Sequence, residues 1–228
     1  MIGTLINTVL VLIGGGLGLL LRKGIPERIR DTIMQGLSLT VMLIGISGAI
    51  KTNDVLCVIV SIVVGGLIGG LLDIEKQLDK LGKFAEKKLS SEEGSVAKGF
   101  VTASLIFCVG AMAIVGAMDS GIRGDHSTLI AKGVIDAVTS VFLAATLGPG
   151  VLLSAVAILV YQGAIALLSI WIAPILTETV ICEMGATGGL LVLGIGINLL
   201  FPNQKIKVGN LLPAIFVPLL YLPIAGLF

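Results

Sequence analysis

Four polar residues on one predicted apolar helix carry the strongest chemical signal in the chain. Asp136 lies midway along this segment, with Lys132 four residues before it, Ser140 four after it, and Thr139 adjacent. Residues four apart share a helix face. A charge inside a bilayer costs about 2.5–3.5 kcal/mol, so such residues are retained where they are paired, solvated or functional. We interpret this stripe as a pathway for an ion or small polar solute; a Lys–Asp pair that only satisfies itself is the structural alternative.

Three other polar residues interrupt apolar segments. Gln162, within Tyr161-Gln162-Gly163, could bond across to the Asp136 helix or line a polar path. Glu183 opens a later segment and would supply a second carboxylate for a cation if it points inward, or would be merely interfacial if it does not. Asn198 lies deeper in the same segment and is a weaker candidate with the same two alternatives, inward or interfacial.

A group of charged residues is predicted at the outer face, after the fourth apolar segment. Asp119, Arg123, Asp125 and His126 fall within eight residues. They could form an outer vestibule or a proton-linked gate, since histidine is the side-chain type whose charge changes near physiological pH. The alternative is a solvated loop in which Asp125 or Ser127 caps the next helix. The loose spacing predicts no metal site.

The composition places this chemistry in a membrane. Of 228 residues, 56% are hydrophobic and 13% are charged, whereas soluble domains have about 25% charged residues. A soluble fold of this size could not bury so much apolar surface, so the lipid bilayer is the predicted surrounding. The net charge of +1 and 4% aromatic content give no indication of nucleic-acid binding. The 31 glycines favour close helix packing and are compatible with a homodimer.

The apolar segments predict an all-α polytopic membrane protein with about eight transmembrane helices. Each segment approaches the ~20 residues that cross a bilayer. The break between the fifth and sixth is Leu147-Gly148-Pro149-Gly150, a turn signal with almost no loop, and one kinked helix is the alternative there. The predicted spans are 3–21, 33–50, 54–72, 99–118, 129–147, 150–173, 180–201 and 209–227.

Lysine and arginine predict the orientation. If the N-terminus is outside, twelve of the fifteen basic residues fall in cytoplasmic loops and three fall outside. Because cytoplasmic loops are enriched in Lys and Arg, this bias predicts that both termini face outward.

A repeated glycine pattern predicts an internal duplication. Gly24 and Gly36 are matched 97 residues later by Gly121 and Gly133. Three spans per copy would place the second copy upside down, a common plan in transporters. The predicted organisation is a first repeat, a cytoplasmic amphipathic connector, a second inverted repeat and two additional spans, with boundaries at 1–75, 76–98, 99–173 and 174–228.

The two copies differ at the polar stripe. Their alignment places Leu39 opposite Asp136 and Gln35 opposite Lys132. A working site would diverge in this way, and so would a copy that is free to drift. The connector is either a plain linker or a regulatory or anionic-lipid-binding element, since its apolar residues recur at helical spacing among Lys and Glu.

Catalytic and cofactor signatures are missing from the predicted spans. Cys57, Cys108 and Cys182 are not spaced as a disulfide framework or a metal motif. The spans contain no Ser/His, Cys/His, paired-Asp or His-rich arrangement. We therefore expect neither an enzyme nor a bound cofactor.

Several stretches resemble one family of bacterial inner-membrane proteins, domain-of-unknown-function family 554. The resemblance covers essentially the whole chain and implies a multi-pass protein of the plasma membrane, at most a transporter. The stretches that carry it are Cys108–Gly116, Asp119–Ile122, Ala131–Asp136, Leu147–Val151 and Tyr161–Gly163.

These features favour a small transporter or channel with Asp136 as its central residue. Asp136 would bind a cation or carry a proton, Lys132 would tune it, and Ser140, Thr139 and Gln162 would supply neutral oxygens. The alternative is a non-transporting assembly partner or sensor that acts through the charged cytoplasmic segment.

Overall fold

The computed structural model describes residues 1–22, 24, 26–80, 95–201 and 206–225, and the regular secondary structure in these ranges is helical. The all-α prediction is therefore confirmed. The helices are α1 (Ile2–Arg22), α2 (Glu27–Ala49), α3 (Val55–Leu72), α4 (74–80), α5 (Ser95–Cys108), α6 (Ala111–Ile122), α7 (Ser127–Leu147), α8 (Gly150–Ile172), α9 (Glu178–Leu200), α10 (Val208–Leu211), a 3₁₀ helix (Leu212–Phe216) and α11 (Pro218–Ala225).

Six of these helices are long and apolar enough to cross a bilayer, and a bent pair raises the number to seven. The six are α1, α2, α3, α7, α8 and α9, and they coincide with the predicted first, second, third, fifth, sixth and seventh spans. The turn at Gly148, whose φ is +83°, ends α7 and separates it from α8. The chain is thus a helical multi-pass membrane protein, with the fifth and sixth predicted spans as separate helices.

The predicted fourth span is broken into α5 and α6, which meet at 64°. Gly110, at the break, has a φ of +126°, which glycine adopts without strain. A β-carbon on Gly150 would meet the carbonyl of Val96, and one on Gly121 would meet the carbonyl of Ala166. The start of α5 therefore contacts the start of α8, and the end of α6 contacts the later part of α8. This arrangement favours a broken span over a re-entrant loop.

The predicted eighth span is a series of short elements: α10, the 3₁₀ helix and α11. Pro213 and Pro218 lie at the junctions, where a residue without a backbone N–H interrupts the α-helical ladder. This segment packs against α3, since β-carbons on Gly65 and Gly69 would meet Ala214 and Asn210. The close helix packing that the glycine content predicts is confirmed at these two positions.

The helices form two compact units. Unit 1 contains residues 1–37, 78–108 and 112–172, and unit 2 contains 38–77, 109–111 and 173–228. These units are defined by which residues contact each other, whereas the predicted repeat is a statement about a duplicated sequence. The units therefore do not test the inverted repeat, and the repeat and its boundaries stay predictions. The predicted connector, 76–98, has helical residues up to 80, and its positions 81–94 lie outside the described residues.

Helices α1 and α7 pack in parallel in unit 1. Gly14 faces the carbonyl of Ala137 and Gly18 faces that of Val141, so closely that any β-carbon would clash. Glycine lets two backbones approach this closely within a membrane. The predicted topology has the first and fifth spans running in the same direction, which agrees with this packing; the absolute orientation stays a prediction.

Candidate functional site: a buried polar cluster in unit 1

Lys132 and Asp136 form a buried ion pair on α7. The Lys132 Nζ and Asp136 Oδ2 atoms are 2.6 Å apart, and the two side chains are 8% and 6% exposed. Asp136 is the tenth residue of this 21-residue helix, about 14 Å from its start at 1.5 Å per residue. The pair therefore lies near the middle of an apolar span, as the four-residue spacing predicts.

Asn7 connects this pair to two other helices. Its Nδ2 donates to Asp136 Oδ2 at 3.3 Å and to Gln162 Oε1 at 3.2 Å. Asn7 lies on α1, Gln162 lies on α8, and both side chains are fully buried. Gly133 makes room for this approach, because a β-carbon there would lie 3.1 Å from Asn7 Cα. We call Asn7, Lys132, Asp136 and Gln162 the polar cluster.

The polar cluster has unused hydrogen-bonding capacity. Within the described part of the chain, Asn7 Oδ1 and Gln162 Nε2 are buried without a partner. A native buried polar atom normally has one. Leaving such a group unpaired costs about 1–3 kcal/mol. A hydrogen bond to either atom would therefore recover part of that free energy.

The two other members of the predicted stripe donate hydrogen bonds to backbone carbonyls. Ser140 Oγ donates to the carbonyl of Val11 at 2.8 Å, which ties α7 to α1. Thr139 Oγ1 donates at 2.9 Å to the carbonyl of Ile135 in its own helix. The structure thus brings together Lys132, Asp136 and Gln162 from the predicted pathway, while both hydroxyl groups are engaged with backbone.

Asn7 was not predicted as a site residue. The available signal was an amide side chain in a mostly apolar first span, with Thr4 three residues before it and Thr8 next to it. Both threonines are buried, and Thr8 Oγ1 donates a hydrogen bond to the carbonyl of Thr4. A polar stripe on α1 therefore faces the polar one on α7, a match that requires knowing which helices pack together.

Glu183 has a different setting, in unit 2. Its carboxylate is fully buried and accepts hydrogen bonds from Thr52 Oγ1 and from the backbone N–H groups of Asn53 and Asp54, the latter two at 2.8 and 3.2 Å. This arrangement ties α9 to the loop between α2 and α3. Both oxygens of this carboxylate are engaged with that loop.

Asn198 also bonds locally. Its side chain donates to the carbonyl of Ile206 and accepts from the N–H of Ile206, both at 2.8 Å. This amide pairing holds the chain that follows α9 against the helix.

The predicted outer group divides into three local contacts. Arg123 lies 3.4 Å from Asp119, and Ser120 Oγ lies 2.9 Å from His126 Nδ1. Asp125 accepts from the backbone N–H of Ser127 at the start of α7, and this hydrogen bond lowers the pKa of the Asp125 carboxyl. This cap is the alternative that the sequence offered for Asp125. Among the described residues, no three His, Cys, Asp or Glu side chains are arranged to hold a metal ion.

Comparisons with known proteins identify relatives along nearly the whole chain. Residues 2–222 match the family described as Protein of unknown function (DUF554). The uncharacterized membrane protein YdfK of Bacillus subtilis is 32% identical over 96% of this chain and 94% of its own length. The uncharacterized protein YqgA of Escherichia coli is 33% identical over 95% of this chain and 94% of its own. No solved structure matches the chain. The family match predicted from the residues is confirmed, and the chain belongs to the DUF554 family of proteins of unknown function.

Proposed function

We propose that this protein is a small transporter or channel for an ion or small polar solute, with Asp136 as the central pathway residue. The observation that carries the proposal is the polar cluster: a buried ion pair and two buried amides at one level of three apolar helices. A purely structural ion pair would also accept hydrogen bonds from neighbouring side chains, but we would expect those side chains to be fully hydrogen-bonded themselves. Here two additional side chains converge on it and leave a donor and an acceptor unused.

The surrounding architecture supports transport. A helix broken near its middle, as α5 and α6 are, recurs in transporters where substrate binds at the bilayer midplane. In this proposal the segment from α10 to α11 is the eighth span, both termini face outward from the bacterial plasma membrane, and two inverted repeats move relative to each other. The solute path needs no second protomer, because one chain supplies the whole polar cluster, and a homodimer stays a prediction.

The test is flux through the purified full-length protein in proteoliposomes. Proton, sodium, potassium and chloride currents and urea permeation would be measured under imposed gradients. Asp136→Asn keeps the shape of the side chain but removes the charge that orients Asn7, so flux should fall at least tenfold. Thr146→Val is the matched control, since the Thr146 hydroxyl is also on α7 but bonds only to the carbonyls of Phe142 and Leu143 in that helix. Equal flux in wild type and Asp136→Asn would refute the site.

A further inference from the structure

We propose that the outward face of α2 binds a second copy of this chain within the bilayer, so that the protein is a homodimer joined along α2. Such a dimer is compatible with transport but does not depend on it. Every residue of this face is exposed in the single chain, and the face consists of Thr32, Gln35, Gly36, Leu39, Thr40 and Leu43.

In the five other long apolar helices, polar side chains lie inside the protein and apolar ones cover the outside. Away from the terminal turns of α1, α3, α7, α8 and α9, every exposed residue is apolar. The polar side chains of these helices are buried instead, as Asn7, Ser61 and Gln162 are. A bilayer favours this arrangement, because its hydrocarbon core offers no hydrogen bonds.

Helix α2 departs from this pattern. Gln35, Gly36 and Thr40 lie well inside its 23 residues and are exposed. Of the six long apolar helices, α2 has the lowest mean hydropathy and also the smallest buried share, 17% of its span. A helix that faced lipid over most of its surface should be the most apolar of the six. A protein partner on this face resolves the conflict, since small and polar residues are typical of helix contacts within membranes.

The opposite side of α2 is already covered by α9. A β-carbon on Gly45 would clash with the backbone of Leu193, and one on Gly189 would clash with that of Ala49. Gly36 precedes Gly45 by nine residues, which is about two and a half helical turns and therefore the other side of α2. A β-carbon on Gly36 has no described atom within 4 Å. Packing within one chain thus accounts for Gly45 but not for Gly36.

A second copy fits this face because the face is complementary to itself. Thr32, Gly36 and Thr40 recur at every fourth position, a spacing that lets two helices approach closely in a membrane. Two copies of one chain insert in the same orientation, so a two-fold axis along the membrane normal would place Gly36 of one copy against Gly36 of the other. The Gln35 amides and Thr40 hydroxyls would then have polar neighbours in place of lipid.

Subunit counting in liposomes tests the dimer. The full-length protein, with one fluorophore per chain, would be reconstituted over a range of protein-to-lipid ratios, and photobleaching steps would be counted. Wild type should bleach in two steps, and Gly36→Leu should weaken dimerisation about tenfold because its side chain prevents the close approach. Gly70→Leu is the matched control: Gly70 is exposed on α3, and a β-carbon there also has no described atom within 4 Å.

Oxidative cross-linking in native membranes tests the face. Thr40→Cys should give a disulfide-linked dimer, whereas Val160→Cys, at a 65% exposed position on α8, should give no more than the wild-type background. Monomers at every density would mean that lipid or a different protein covers α2. A dimer that lacks the Thr40 cross-link and survives Gly36→Leu would use another face. Either result, or equal weakening by Gly70→Leu, would overturn the proposal.

Discussion

Asn7 Nδ2 lies 3.3 Å from Asp136 Oδ2, and this contact joins residues 129 positions apart in the chain. It links α1 to α7 at the level of the ion pair. Because Asn7 bonds Gln162 through the same nitrogen, the charge of Asp136 orients two amides on two helices. The carboxylate thus organises the polar cluster, and its own charge partner lies one helical turn away.

Removing the lysine of the ion pair should destabilise the protein strongly. Lys132→Met leaves Asp136 buried without a cation, which should lower the free energy of unfolding by about 3–5 kcal/mol. The double variant Lys132→Met/Asp136→Leu removes both charges and should recover most of that loss. Reversible unfolding in mixed micelles measures both. A double variant no more stable than the single one would show that the two charges are not energetically coupled.

Truncating Asn7 should affect both of its partners. Asn7→Ala removes one donor from Asp136 and one from Gln162, so the free energy of unfolding should fall by about 1–3 kcal/mol. A double-mutant cycle with Gln162→Ala should give a coupling of about 0.5–3 kcal/mol, as for residues in one hydrogen-bond network. Thr146→Val, whose hydroxyl bonds only within α7, provides the control. Additive losses from Asn7→Ala and Gln162→Ala would contradict the network.

The local half of the site was predictable, and the long-range half was not. Lys132 and Asp136 are one helical turn apart, so their spacing alone predicts the contact. Because Gln162 lies inside an apolar span, the sequence also indicated that its amide would hydrogen-bond to another helix or line a polar path. Its partner, Asn7, belongs to a helix more than a hundred residues away, and neither composition nor periodicity indicates which helices pack together.

The same distinction between local and long-range determinants separates the parts of the fold that the sequence predicted from those that it did not. Span positions follow from runs of apolar residues, because bilayer thickness sets their length. The bend at Gly110 and the short elements around Pro213 and Pro218 depend on neighbouring helices as well as on local residues, so the sequence predicted continuous spans there. Glu183 is a further example: the sequence left open whether it points inward or is interfacial, and both its burial and its hydrogen bonds to residues 52–54 depend on tertiary contact.

Alanine at the glycines of α1 should separate packing positions from open ones. Gly14→Ala and Gly18→Ala would push β-carbons into the carbonyls of α7 and should each cost about 1–3 kcal/mol. Gly16→Ala meets open space among the described residues and should be neutral or slightly stabilising, because alanine favours helix. Thermal unfolding in nanodiscs compares the three. Similar melting temperatures for all of them would contradict the close approach of α1 and α7.

Glu183 should act on the loop between α2 and α3 rather than on flux. Glu183→Gln replaces charge-assisted hydrogen bonds to Asn53 and Asp54 by weaker ones, at a cost of about 1–2 kcal/mol. Amide hydrogen exchange in residues 52–54 should accelerate, and Thr52→Ala should have a similar, smaller effect. Proteoliposome flux should stay near the wild-type value. Lost flux with unchanged exchange would return Glu183 to the solute pathway.

Reporter fusions should show both termini outside the cytoplasm. Twelve of the fifteen basic residues lie in the segments between predicted spans that this orientation places inside, and the positive-inside bias acts on short connecting segments such as these. Alkaline phosphatase inserted after Thr52 should therefore be active, whereas an insertion in the 76–98 segment should be inactive. A fluorescent protein, which matures only inside, should give the reverse pattern at the same two sites. The opposite result would show that the protein has the reverse orientation, with His126 and Asp125 on the cytoplasmic side.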